Sequence, residues 1–136
     1  MIGSWRISNR QLDESSGTWS DTEFTWTFVR TLAGLGVQDV ITLDDGRAAG
    51  TSVRAWDAGA GCWRVAWFGV LGGNFCSLVA RQADEGGFVL EGSGQDGRAL
   101  RWEFSDIQPA SFRWDGSIET AAGWLHEQHM DAVRLS

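Results

Sequence analysis

Tyrosine is absent from this 136-residue chain, and proline occurs once, at Pro109. The first absence removes the phenol as a general acid. The second leaves the strand-like runs uninterrupted, since Pro109 falls between two of them, where a missing N–H does no harm. Positive charge is scarce: 11 Lys plus Arg face 18 Asp plus Glu, a net charge of -7 with no basic run. That is the wrong sign for sequence-independent phosphate binding, so nucleic acid is not an expected partner. Long apolar runs are missing too. The start, MIGSWRISNR, holds no stretch of signal-peptide length, and the most apolar window, 62–71, is broken by Arg64 and too short to span a bilayer. The expectation is a cytoplasmic protein with no membrane partner. Only Cys62 and Cys76 are present; they fit no CxxC pattern and lie in strand-like segments, so they read as two buried thiols. There is no GxSxG elbow, and neither cysteine adjoins a histidine, so nucleophilic catalysis has no specific signal.

What is present is tryptophan, nine residues of it, with seven Phe. An indole can fill a core or wall a cavity equally well. The length suits one domain around one core. Turn signals recur at short intervals, at Asp44-Asp45-Gly46, Gly59-Ala60-Gly61, Leu71-Gly72-Gly73, Glu85-Gly86-Gly87, Gln95-Asp96-Gly97 and Asp115-Gly116. Between them the alternation has period two, as a sheet with one buried face requires. Phe24, Trp26 and Phe28 alternate with Thr25 and Thr27; Leu100, Trp102 and Phe104 with Arg101 and Glu103; Phe112 and Trp114 flank Arg113. Trp63, Val65 and Trp67 share a face while Phe68 and Val70 take the other, which suggests a strand covered on both sides or a contact with a second copy.

The pattern predicts about ten strands, near 3–12, 19–32, 36–43, 48–57, 62–70, 74–82, 87–93, 98–106, 110–115 and 122–135. Hairpin-linked strands in such number favour an all-β, antiparallel up-and-down barrel, because closure removes exposed edges; a two-sheet sandwich is the rival. Residues 119–135 are ambiguous, being rich in helix formers at roughly helical spacing. Strand is the preferred reading there and a terminal helix the other.

Two motifs dissolve on inspection. Gly92-Ser93-Gly94-Gln95-Asp96-Gly97 matches GxGxxG, but Arg98–Phe104 alternates like a strand where the dinucleotide fingerprint needs a helix. His126-Glu127-Gln128-His129 has histidines three apart, which on a regular strand point to opposite faces and cannot grip one ion. No metal and no cofactor is therefore expected. A haem held by His126 or His129 is the exception to test.

Polar residues in phase with apolar faces are more informative, since a buried polar group needs a partner in the protein, in water or in a ligand. Asn9 is in phase with Trp5 and Ile7, Arg30 with Trp26 and Phe28, Arg54 with Trp56, and His126 and Gln128 with Trp124 and Met130. Each has a plainer account: Arg30 can reach solvent from a strand end, Arg54 can pair with an internal carboxylate or face outward, and His126 can be a satisfied core residue.

Gly3-Ser4-Trp5 and Arg134 resemble the Gly-x-Trp opening and C-terminal arginine of lipocalin-like (calycin) barrels. The layout is also similar to that of bacterial calycin-like proteins. It has a Leu-x-Gly turn (Leu32-Ala33-Gly34), an Arg-x-aromatic-Asp stretch (Arg54-Ala55-Trp56-Asp57) leading to Trp63 and Trp67, an Arg-x-x-aromatic strand (Arg101 to Phe104) and a closing Trp-x5-Met-x3-Arg strand (Trp124, Met130, Arg134). The chain departs from that pattern in opening almost directly on Gly-x-Trp and in lacking Asp-Gly-Gly within Gly116 to Gly123. The resemblance implies that the arginine covers the indole of Trp5 and closes one barrel end. It also implies a binder of small apolar or aromatic molecules, in a superfamily that includes decarboxylases, cyclases and haem binders.

The expectation is a small-molecule barrel whose guest, apolar or aromatic and anionic, lies on Trp26, Trp67, Trp102 and Trp114 and is oriented by Arg54, His126 and Gln128. The alternative is a cofactor-free lyase, isomerase or cyclase with His126 as general acid or base. A homodimer through the 62–71 strand is a further possibility.

Overall fold

The computed structural model describes residues 1–136. Ten strands run β1 (Gly3–Asp13), β2 (Thr18–Thr31), β3 (Gly36–Thr42), β4 (Ala48–Asp57), β5 (Cys62–Gly69), β6 (Asn74–Gln82), β7 (Phe88–Ser93), β8 (Ala99–Ser105), β9 (Ser111–Thr120) and β10 (Gly123–Arg134). Each is antiparallel to the next, and β10 returns to pair with β1, so the sheet is a closed barrel with no free edge. The sandwich alternative is ruled out. Residues 119–135 hold no helix: they are the end of β9, a turn at 121–122 and β10, whose pairing completes the ring between β9 and β1. The lone helical turn, Leu32–Gly34, joins β2 to β3. No helix is long and apolar enough to cross a membrane.

The turns follow from a few residue choices. Three hairpins share one build: the N–H of Gly46, Gly86 or Gly97 donates to the carbonyl three residues back, with the glycine at positive φ. In two of them an aspartate clasps the arginine two residues on: Asp45 Oδ1 accepts the Arg47 N–H and Asp96 Oδ1 the Arg98 N–H, both at 3.0 Å. The GxGxxG match is thus a hairpin. The Asp115-Gly116 signal is not a turn: β9 runs through it to Thr120. A Cβ on Gly116 would lie 2.7 Å from the Trp114 ring, so glycine is there to seat an indole.

Trp5 and Ile7 of β1, Phe24, Trp26 and Phe28 of β2, Leu78 and Ala80 of β6, Phe104 of β8 and Phe112 and Trp114 of β9 form one inward-facing core. Cys62 and Cys76 are free and buried, as expected. The expected cover on the outer face of β5 is absent within the chain: Phe68, Val70 and the neighbouring Phe75 are 47%, 63% and 42% exposed.

Candidate functional site: a tryptophan-walled cavity

One end of the barrel is filled. Trp5 is completely buried and meets Phe112 edge-on at 4.8 Å between centroids, and its Nε1–H donates to the Met1 carbonyl at 2.9 Å. The Arg134 guanidinium carbon lies 4.1 Å from the Trp5 ring centroid. That arginine also donates to the carbonyls of Pro109, Ile2 and Ser136, tying three segments together over the indole. Inward of this plug, Trp26, Phe28, Phe104 and Phe112 pack with centroids 4.8 to 6.2 Å apart as an aromatic floor.

Above the floor the ring is too wide to fill. A cavity of about 660 Å³ reaches the opposite end, where Leu71, Gly72 and Gly94 to Asp96 of the hairpin turns rim it. Ten strands give a wider bore than the eight whose interior side chains can just close. The four tryptophans expected as walls, Trp26, Trp67, Trp102 and Trp114, all line it. Trp67 and Trp102 are perpendicular at 6.4 Å, and Trp102 meets Trp114 at 5.5 Å. Two glycines keep the rings back. A Cβ at Gly50 would come within 2.3 Å of Trp67 Cη2, and one at Gly116 would strike Trp114, so two indoles lie against bare backbone instead of meeting at the axis.

Arg54 lies between this cavity and a smaller apolar one of about 220 Å³ lined by Met1, Ile2, Phe28, Val37, Trp63 and others. It faces inward, with its guanidinium carbon 5.4 and 5.6 Å from the Phe28 and Phe104 centroids. Its internal carboxylate is Asp39, fully buried, with Oδ2 at 2.6 Å from Arg54 Nη1. The contact is tight but poorly aligned, because Nη1 makes no hydrogen bond by geometry. Asp39 instead accepts from the Ser52 N–H at 3.1 Å and from the Ser52 hydroxyl. Arg54 is therefore charge-compensated by Asp39, which engages its Nη1 off the hydrogen-bond direction. The donor left without an acceptor in the protein is Trp26 Nε1, which is buried.

Gln128 lines the cavity, donating from Nε2 to Asn9 Oδ1 at 2.8 Å, and Asn9 Nδ2 donates to Thr22 Oγ1 at 3.0 Å. This is a polar strip across β10, β1 and β2 facing the indoles. Burial pushes the Glu127 carboxyl, also at the cavity, above the usual carboxylate range. Burial likewise pushes the Cys76 thiol up to about 11.

His126 is not in the cavity. The β9–β10 register shifts between His126, opposite Ser117, and Gln128, opposite Gly116, so Glu127 is an extra bulged residue. Strict alternation would put His126 and Gln128 on one face; the bulge separates them, and His126 faces outward at 49% side-chain exposure. The same bulge corrects the expectation that His126 and His129 point apart. Both approach Asp115 Oδ1 on the outer wall, His126 Nε2 at 2.8 Å and His129 Nδ1 at 2.7 Å. Burial works to lower the His129 pKa, but hydrogen bonds to Asp115 and Asp131 outweigh it and the net shift is upward. Arg30 is exposed at its strand end.

Asp39 and Asp115 were not singled out from the sequence. Asp39 had a usable signal, its phase with Val37 and Ile41 on β3. Asp115 had none, since its role depends on strand register and on the bulge.

Fold and interior together define a calycin-like β-barrel. Among solved structures, the chain is similar to an S-type phycobiliprotein lyase from Guillardia theta, with a TM-score of 0.68 and 13% sequence identity over 99% of this chain and 88% of that one. At that identity the likeness is one of fold. No family model and no curated protein matches the sequence.

Proposed function

We propose that the protein binds a small apolar or aromatic molecule carrying an anionic or strongly accepting group. The observation that carries this reading is the cavity of about 660 Å³, walled by four indoles, one of which, Trp26, has a buried Nε1–H with no acceptor in the protein, and reached by the ion-paired Arg54. A bare buried N–H costs on the order of 1–3 kcal/mol, so an acceptor delivered between Trp26 Nε1 and Arg54 regains free energy while the guest's rings contact Trp67, Trp102 and Trp114. Because Asp39 already balances the arginine's charge, neutral carbonyl and carboxylate guests both fit, and the Asn9–Gln128 strip supplies a second polar end. The test is a panel of aromatic acids and their neutral amides read by tryptophan fluorescence and melting temperature. Saturable quenching lost in Trp102→Ala and Arg54→Met is the expected result; a panel that moves neither signal would overturn the proposal.

A second reading, a cofactor-free lyase, isomerase or cyclase in the same cavity, draws support from the fold shared with a phycobiliprotein lyase. Under it the chamber would enforce the substrate's conformation. His126 does not reach this interior, so any general acid or base would come from another group. Turnover of a bound guest by the wild type and equally by His126→Ala is the outcome this arrangement requires.

A further inference from the structure

The outer wall of the barrel carries a feature that the cavity does not explain. Asp115 of β9 and His126 and His129 of β10 bring one oxygen and two ring nitrogens together, both nitrogens approaching Asp115 Oδ1 and all three atoms within 4.8 Å of one another. Register places Asp115 directly opposite His129, and the bulge at Glu127 brings His126 onto the same face. We propose that this cluster is a binding site for a borderline divalent transition cation of the Zn²⁺ type, held on the outside of the barrel and independent of the guest in the cavity.

Three observations support it. First, the ligand set is two imidazoles and one carboxylate with no thiolate, which suits Zn²⁺ and its neighbours and disfavours Mg²⁺ or Ca²⁺, whose ligands are oxygens. Second, His129 is oriented as a metal-bound histidine is. Its Nε2 lies 3.2 Å from Asp131 Oδ2, so the outer carboxylate can hold the proton on that nitrogen while a cation replaces the proton that Nδ1 shares with Asp115 Oδ1. Third, the separations are close to what a cation needs. At bond lengths of about 2.0–2.1 Å, tetrahedral ligand atoms stand about 3.4 Å apart; the two His–Asp distances of 2.7 and 2.8 Å must open, and the two ring nitrogens, within 4.8 Å of each other, must settle to that spacing. Partly exposed side chains can make that adjustment by small rotations, and three protein ligands leave at least one position for water.

The bulge explains why an HxxH spacing, unsuited to a regular strand, serves here. An extra residue between the histidines replaces the half-turn that would otherwise reverse one of them. The net charge of -7 adds a favourable field for a cation.

The test uses the untagged full chain, stripped with chelator and titrated with Zn²⁺ by calorimetry, then with Co²⁺ followed by visible absorption. The expected result is one equivalent of Zn²⁺ per chain and a Co²⁺ spectrum without a thiolate charge-transfer band, unchanged in Cys62→Ser/Cys76→Ser. His126→Ala and His129→Ala should each abolish saturable binding with circular dichroism intact, and Asp131→Asn should weaken it by about tenfold. Binding that persists unaltered in the His126→Ala/His129→Ala double variant, or no stoichiometric binding by the wild type, would overturn the proposal. Trp102→Ala should leave Zn²⁺ affinity unchanged, which separates this site from the cavity reading.

Discussion

The two ends of the barrel are built from the same residue type put to opposite uses. At the plugged end Trp5 is wholly buried, hydrogen-bonded through its indole N–H and covered by Arg134. At the mouth Trp67 and Trp102 are only partly buried, and their faces border empty volume. An indole packed on every side contributes to stability; one packed on a single side, as Trp67 is against Gly50, leaves its other face open to the cavity. The difference teaches that tryptophan count says little about duty and that the neighbours assign it.

The largest effect should come from the plug. Trp5→Ala is expected to destabilise the protein by about 3–5 kcal/mol in urea unfolding, whereas Trp102→Ala should cost well under half of that yet remove guest quenching. Equal costs at both ends would break the comparison. Next comes the charge between the two regions. Asp39→Ala strands the Arg54 guanidinium in the interior, at a cost of about 3 kcal/mol or more, and adding Arg54→Met should restore most of the loss. A double variant as unstable as the single would show that Asp39 acts through Ser52 rather than through the arginine.

Steric filling of the mouth should be milder. Gly50→Val pushes against Trp67 and costs roughly 1–3 kcal/mol, with guest affinity falling more steeply than stability. Alkaline titration probes the wall: since the folded Cys76 pKa is raised from 9.0 to about 11, the protonated thiol is favoured by folding, and stability should decline as pH rises between those values. Cys76→Ala should flatten that slope.

The smallest effect should lie in the turns at the mouth. Hydrogen bonds from Arg47 and Arg98 lower the Asp45 and Asp96 carboxyls below the ordinary range. Their stabilisation is present above the unfolded value and fades as pH falls through the folded one. Amide exchange below about pH 4 should quicken at the mouth hairpins before the plug.

Most of the fold could be read from alternation and turn residues, because a half-buried strand writes its two faces directly into sequence order. The strand boundaries agree to within a residue except in β9, where a glycine that seats an indole imitates a turn. The cavity walls Trp26, Trp67, Trp102 and Trp114 were legible for the same reason. His126 was not, because one bulged residue shifts every facing beyond it and leaves no mark that Glu127 should be skipped in the count. Asp39 was marked only by its phase with Val37 and Ile41, and its role becomes intelligible once Arg54 is seen on the neighbouring strand.

The plug has a consequence for how the barrel comes together. Trp5 and Arg134 are opposite one another in the β1–β10 pairing, the contact between the two ends of the chain. Hairpins between successive strands close short loops, but this pairing must close nearly the whole chain and carries the greatest entropic cost. The cation–indole contact comes with closure of the ring, so it is expected to act as a clasp fastened late in assembly. Weakening it should chiefly shorten the lifetime of the closed ring, leaving early hairpin formation untouched.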